Sequence, residues 1–345
     1  MELYIYDPVE MVAVIDVMTS LRWRRKYFSP GEVELHLTAT AEHLAALSEG
    51  HIIRRTDRAE SAIIEGVAVT GEDLVITGRM LSSVLERAIL TRTYDLSGTY
   101  ESAMLALIPE GQRAVSALSA GMAQGYPAVL EGMQATWKNL LTVEERLARA
   151  SGLGFLVEFT PGGPWTFRCT CGTDHSVEQQ TNPHVIFSEE FGNLVDPNYI
   201  RDVSGYRNVA YVGGEGEGSA RAVVTVDLSG GGERRELWVD AKDIRSEDLD
   251  PEAYQAALRQ RGLEKLAQCV RVESFEADGE DVPNFAYRKD WDLGDLVTAQ
   301  YARLGISFTA RITEVEEVYE NGVETVTPTL GDPLPEKLEL GEDLT

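Results

Sequence analysis

Cysteine is scarce in this sequence. The 345 residues hold three, an odd number that makes no disulfide framework, so the chain is expected to be made and kept in a reducing compartment. No apolar run approaches the roughly 18 residues that a membrane helix needs. The N-terminal MELYIYDPVE carries acids and alternation where a signal peptide would carry a basic stretch and an apolar block. No membrane insertion is expected. Bases are short as well: 31 Lys and Arg stand against 57 Asp and Glu, a formal net charge of −26. The 271–345 segment alone has 18 acids and 6 bases. A surface of that sign repels phosphates, which disfavours nucleic-acid binding. The one basic knot, RWRRK at 22–26, lies in an alternating stretch and reads as one face of a strand. Five histidines are scattered without metal-ligand spacing, and neither H-E-x-x-H nor G-x-S-x-G occurs. Carboxylate pairs abound, but among 57 acids their adjacency carries no information.

What the chain does have is alternation. ELYIYD sets Leu3 and Ile5 against Tyr4 and Tyr6, and VELHL sets Val33, Leu35 and Leu37 against Glu34 and His36, the pattern of half-buried strands. SPGE at 29–32 predicts a type II turn with Pro30 and Gly31 at its centre. Strands follow at about 60–69 and 73–77, joined by TGED, and a short helix begins near Arg79 with Met80, Leu81, Val84, Leu85, Ala88 and Ile89 on one face. The stretch 100–132 reads as helical, with breaks. TWKNLLTVEERLARASG predicts a helix capped by Thr136, with Trp137, Leu140, Leu141, Leu147 and Ala148 as its apolar stripe and Gly152 after its end. A hairpin of GFLVEF and WTFRCTC follows, with Trp165 as a core aromatic. NVAYV, ARAVVTVDL and RRELWVDA read as a three-stranded meander. A helix capped by Asp250 with Pro251 at its first position turns Tyr254, Ala257 and Leu258 inward. Asn321-Gly322 signals a tight hairpin near the end.

Two motifs invite a chemical reading. YVGGEGEG at 211–218 packs four glycines into six residues, but a phosphate loop needs a Lys and a following helix. This loop holds Glu215 and Glu217 and leads into a strand, so it reads as a turn. CTCGTDH at 169–175 offers Cys169, Cys171 and His175, three ligands where a structural zinc site takes four. Cys269 lies about a hundred residues away, so Cys169 and Cys171 read as small core residues on one face of a strand. No catalytic, cofactor-binding or metal-binding residue is assigned.

Five segments resemble, in this order, one known family: SLRWRRKYFSPGEVELHL, ITGRMLSSVLERAIL, GTDHSVEQQTNPHVIFSEEFGNL, YRNVAYVGGEGEGSAR and GDLVTAQYARLGISFTARITEVEEVYENG. They resemble the ReqiPepy-type minor tail proteins of long-tailed phages and prophages, over about residues 20–330. That family looks like a branch of the baseplate-hub superfamily. His175 stands where the family usually has an arginine, so no role is carried to that position. The resemblance implies an α+β, β-rich multidomain fold with two tube-like antiparallel β-barrels around a helical and αβ middle region. The boundaries expected are 1–97 for the first barrel, 98–185 for the middle, 186–330 for the second barrel with its inserted helix, and 331–345 for an acidic tail.

The function implied is structural. A homotrimer would form the hub ring that closes the tail tube, with distal tail and tube proteins above and tip or fibre proteins below. The tape-measure protein and DNA would pass through the lumen without tight binding; the acidic residues either face that lumen and let DNA slide or simply decorate the outer surface. The location implied is the virion tail, after synthesis in the host cytoplasm. The alternatives are a tail-associated peptidoglycan hydrolase or peptidase, and a glycan-binding tail-tip module. Some relatives carry a C-terminal hydrolase, for which 331–345 leaves too little chain.

Overall fold

Apolar–polar alternation becomes sheet in the first ninety residues. Leu3 and Ile5 are buried on the Leu3–Tyr6 strand, Leu21, Trp23 and Arg25 on Ser20–Lys26, and Val33, Leu35 and Leu37 on Glu32–Thr38, because successive side chains of a strand face opposite sides. The computed structural model describes residues 1–247, 249–278, 285–320 and 322–331. The acidic tail after Gly331 and Asn321 of the expected hairpin lie outside the described residues. Strands Ser61–Thr70 and Asp73–Met80 pair through the TGED segment, with Gly71 at φ +65°. SPGE behaves differently. Gly31 does not take the positive φ of a type II turn. It is glycine because a Cβ there would stand 1.9 Å from the Arg24 carbonyl oxygen.

The main sheet has 13 strands among the described residues, and it joins the two ends of the chain. Its path runs Val195–Asp202, Val272–Asp278, Val323–Leu330, Ile306–Glu320, Ser20–Lys26, Glu32–Thr38, Asp73–Met80, Ser61–Thr70, Ile52–Arg55, Leu3–Tyr6 and Met11–Ile15. Leu296–Tyr301 branches from Ile306–Glu320 and carries Ile186–Ser188 in parallel. The 15-residue Ile306–Glu320 strand is the weld. Its first part pairs with Leu296–Tyr301, and from Glu314 onward it lies between Val323–Leu330 and Ser20–Lys26.

The two expected barrels are therefore corrected. The fold is a β-rich α+β structure with no closed barrel among the described residues, and both β-rich ends share one open sheet. Alternation specifies which face of a strand is buried, and it leaves the choice of neighbour open.

The middle is more mixed than its composition suggests. Tyr100–Gly111 and Leu140–Ser151 are helices, but Leu118–Ala120 and Val129–Ala135 are strands. The second helix starts later than expected, because Asn139 caps it by accepting from the Thr142 N–H at 3.3 Å. Gly152 ends it at φ +74°. Trp137, expected in the apolar stripe, thus falls outside the helix. The segment after Arg79 stays in the strand to Met80 and then forms a 3₁₀ helix, Leu81–Arg87. Leu81, Val84, Leu85 and Ala88 are buried as expected, whereas Ile89 is exposed. The hairpin of Gly154–Glu158 and Trp165–Thr170 forms in register, with Trp165 in the core. These elements share one apolar cluster, from Ile52 to Cys169.

The three strands after residue 208 do not make a meander. Val209–Gly213 is central, with Val223–Asp227 antiparallel on one side and Glu236–Asp240 parallel on the other. The return is held by Asn208, whose side chain donates to the Glu233 carbonyl at 2.8 Å and accepts from the Arg235 N–H at 2.7 Å. The Pro251–Gln268 helix, capped by Asp250, lays Tyr254, Ala257 and Leu258 against Ala210, Val212, Val226 and Val239. No helix among the described residues is long and apolar enough to cross a membrane.

Candidate functional site

The glycine-rich loop is built for close packing. A Cβ at Gly214 would stand 2.1 Å from the Tyr254 hydroxyl, and Gly216 holds φ +97°. Tyr254 accepts from the Glu215 N–H at 2.8 Å. Glu215 is not the solvated charge that a bare turn would carry. Its carboxylate accepts from the Ser246 N–H at 3.0 Å and from the Ser246 hydroxyl at 2.5 Å, with Arg245 at 3.4 Å. Those bonds from Ser246 lower the Glu215 pKa. The loop binds residues 245–246 to the small sheet and keeps Glu217 outward.

The three groups of CTCGTDH are not gathered. Cys169 is buried beside the Met104 sulfur at 3.9 Å, and burial raises its thiol pKa far above the ordinary value. Cys171 lies past the strand end and is exposed, so the two cysteines do not share a core face. His175 Nδ1 is 2.8 Å from the Pro183 carbonyl and its Nε2 is 4.0 Å from Asp295. Among the described residues, no three His, Cys, Asp or Glu side chains cluster as metal ligands would.

The densest charged constellation lies at the weld. Along Ser20–Lys26, Trp23 and Arg25 face inward while Arg22 and Arg24 reach the neighbouring strand. Arg22 pairs with Glu316 at 3.3 Å, and Arg24 Nε donates to Glu314 at 2.9 Å. Arg25 donates to Glu60 at 2.8 Å, to Asp292 at 2.6 Å and to the Tyr287 hydroxyl at 2.6 Å. Burial works against its charge, but Glu60, Tyr287 and Asp292 outweigh burial and hold its pKa well above the ordinary value. Tyr287 in turn donates to Glu317 at 2.8 Å. Glu317 also accepts from Arg55 Nη1 at 2.8 Å, from Arg58 Nε at 3.1 Å and from Arg58 Nη2. Arg55 lies over Trp23 and Arg58 over Tyr287. Each buried charge here has its counter-charge. The arrangement holds strands together.

Buried carboxylates elsewhere follow the same division. Glu101 accepts from three successive backbone N–H groups, of Gln124, Gly125 and Tyr126, at 2.6 to 3.0 Å, which fixes that loop. Glu264 lies near Gln260 and Arg146, and burial raises its pKa despite Arg261 and Arg146. Glu144 is different. It is fully buried, neither carboxylate oxygen has a hydrogen-bond partner among the described residues, and burial holds its pKa well above the ordinary value. Sequence reasoning missed Glu144 and Glu317, because nothing in a chain of 57 acids marks which ones fold inward.

Comparison with known proteins agrees with the resemblance of the five segments. No curated protein matches the sequence. The fold is similar to the prophage tail protein gp18 from Listeria monocytogenes EGD-e (TM-score 0.60, 13% identity, covering 96% of this chain and 95% of that one). It is similar to the tail protein from Neisseria meningitidis MC58 (TM-score 0.61, 13% identity, 96% of each chain). It is also similar to the 43 kDa tail protein of prophage MuSo2 from Shewanella oneidensis (TM-score 0.59, 12% identity, 96% of this chain and 98% of that one). The family described as Siphovirus ReqiPepy6 Gp37-like protein matches residues 2–332. A match over nearly the whole length decides membership: the chain belongs to the siphovirus ReqiPepy6 Gp37-like family.

Proposed function

We propose that the chain is a structural protein of a phage or prophage tail and forms the hub at its tip. The observation that carries this reading is the family match over residues 2–332 together with end-to-end similarity of fold to prophage tail proteins. Three copies form a ring that closes the tail tube, with distal tail proteins above and tip or fibre proteins below. Residues 1–97 and 186–330 supply the sheet that makes the wall, each copy contributing one open sheet, and 98–185 supply the helical flank. The protein performs no catalysis. The buried charges at the weld are paired in struts, and the GGEGEG and CTCGTDH segments serve packing. Tape-measure protein and DNA pass through a lumen that a chain of net charge −26 does not make adhesive.

Negative-stain imaging of the purified protein, with mass spectrometry of purified tails, tests this. A three-fold ring with a central hole, and the chain present in the tails, is the expected result. A monodisperse monomer that never enters tails would overturn the proposal.

A further inference from the structure

Two expectations failed on the same patch of surface, and both failures left a large apolar side chain in solvent. Trp137 is 70% exposed and Ile89 is 44% exposed. They are neighbours. The Trp137 N–H donates to the Leu90 carbonyl at 2.8 Å, the Leu90 N–H donates to the Lys138 carbonyl at 2.9 Å, and Ile89 bridges to Asn139. Trp137 also holds φ +50°. A bulky aromatic in the left-handed region is strained, and such strain concentrates where a side chain is presented to a ligand or partner. The Leu90 bonds and the Asn139 cap fix the backbone on either side, so the indole stays outside the core.

Basic side chains outnumber acidic ones around this segment, where the exposed Glu86 is taken up by Arg79 at 2.8 Å. Arg113 donates to the Ile89 carbonyl at 2.6 Å and to the Thr91 hydroxyl at 2.8 Å, which places its guanidinium against this segment. Arg92, one residue further, lies over the Tyr94 ring at 4.8 Å. Arg87 is exposed at the end of the 3₁₀ helix. Glu110 is shared by Arg92 at 3.4 Å and Arg113 at 2.7 Å. One carboxylate between two guanidinium groups leaves a positive excess. Tryptophan and arginine are the residue types that dominate binding at protein interfaces.

We propose that Trp137 and Ile89, flanked by Arg87, Arg92 and Arg113, form a docking surface for an acidic segment of a neighbouring tail protein. That segment sets an apolar side chain on the indole and carboxylates on the guanidinium groups. The inference rests on the tail reading and adds the face and the chemistry of the partner. Charge complementarity selects the occupant, because a basic patch on a chain of net charge −26 repels basic partners locally and attracts acidic ones.

The test places the photoreactive residue p-benzoylphenylalanine at position 137 of the full chain, in assembled tails. Irradiation is followed by sequencing of the cross-linked peptides. The expected product is one peptide from a different tail protein, rich in Asp and Glu around an apolar residue. Arg92→Glu, at an exposed side chain, should reduce that product about tenfold, the effect of losing one interfacial charge pair. Arg168→Glu, on the hairpin strand, should leave it unchanged. A basic peptide, a cross-link to another copy of this chain, or a product insensitive to Arg92→Glu would overturn the inference. So would tails that contain the chain and yield no cross-link. Tails that lack the chain altogether would instead overturn the tail reading itself.

Discussion

Replacing Glu317 by Gln should destabilise the protein far more than the same change one residue earlier. Glu317 is 1% exposed and accepts from Arg55, Arg58 and Tyr287. The Arg55 and Arg58 side chains are only 4% and 5% exposed. Gln keeps the shape of Glu but removes the charge, so two buried guanidinium groups lose their inward counter-ion and keep only the half-exposed Asp57 and, for Arg55, the half-exposed Glu324 at 3.5 Å. Breaking a buried pair from one side costs about 3–5 kcal/mol. Glu316 faces the other side of the sheet and pairs with Arg22, whose side chain is 57% exposed, and such pairs contribute about 0–1 kcal/mol. Urea unfolding followed by circular dichroism and tryptophan fluorescence gives both values, with Trp23 beneath Arg55 one of the five tryptophans that contribute. A difference between the two variants under about 1 kcal/mol would refute the reasoning, since the buried charges would then not depend on Glu317. Replacing Arg55, Arg58 and Glu317 together by apolar residues of similar volume should recover most of the loss.

Other outcomes follow from single positions. Glu144 has its folded pKa raised by burial, so the native state holds a proton that the unfolded chain releases. Its effect on stability does not vary with pH below about pH 4.5 and becomes more unfavourable by about 1.4 kcal/mol per pH unit as pH rises toward the folded pKa. Glu144→Gln should flatten that part of the profile in melts between pH 4 and 7, and an unchanged slope would count against a buried, unpaired carboxyl. Gly31→Ala should destabilise by about 1–3 kcal/mol, because its Cβ meets the Arg24 carbonyl oxygen rather than a movable side chain; unfolding at the wild-type urea midpoint would contradict this. Glu215→Ala should speed proteolytic nicking around Arg245 and Ser246, while Glu217→Gln should not, as limited proteolysis with mass spectrometry would show.

Local structure was legible where one physical rule acted alone. Alternation located the strands around Leu3, Trp23 and Leu35, and Asp250 with Pro251 announced the long helix. The expected cap of the Leu140–Ser151 helix was wrong. Thr136 was expected there, but Asn139 caps the helix, and its side chain also donates to the Glu86 carbonyl at 2.6 Å, a contact between segments 53 residues apart that no local pattern displays. The sheet's neighbours were the least legible. RWRRK at 22–26 and the acidic run at 314–317 are visibly complementary, but nothing local says that strands nearly three hundred residues apart lie side by side. The candidate sites fared similarly: the loop at 211–218 was recognisable as a turn, while the grip of Glu215 on Ser246 depended on how the following strands return.

The pairing of Ser20–Lys26 with Ile306–Glu320 also sets a clock. A ribosome adds about 5–20 residues per second, so roughly 15–60 s separate the emergence of the arginine strand from that of its acidic partner. Through that interval the early strands expose a backbone edge and a row of uncompensated guanidinium groups. Only a chain translated almost to residue 320 can cover them. A product released early keeps an open edge, the kind of surface that invites aggregation or removal by chaperones and proteases. The strand that covers the arginines is thus among the last to be made, and an incomplete chain is marked as incomplete by the edge it leaves open.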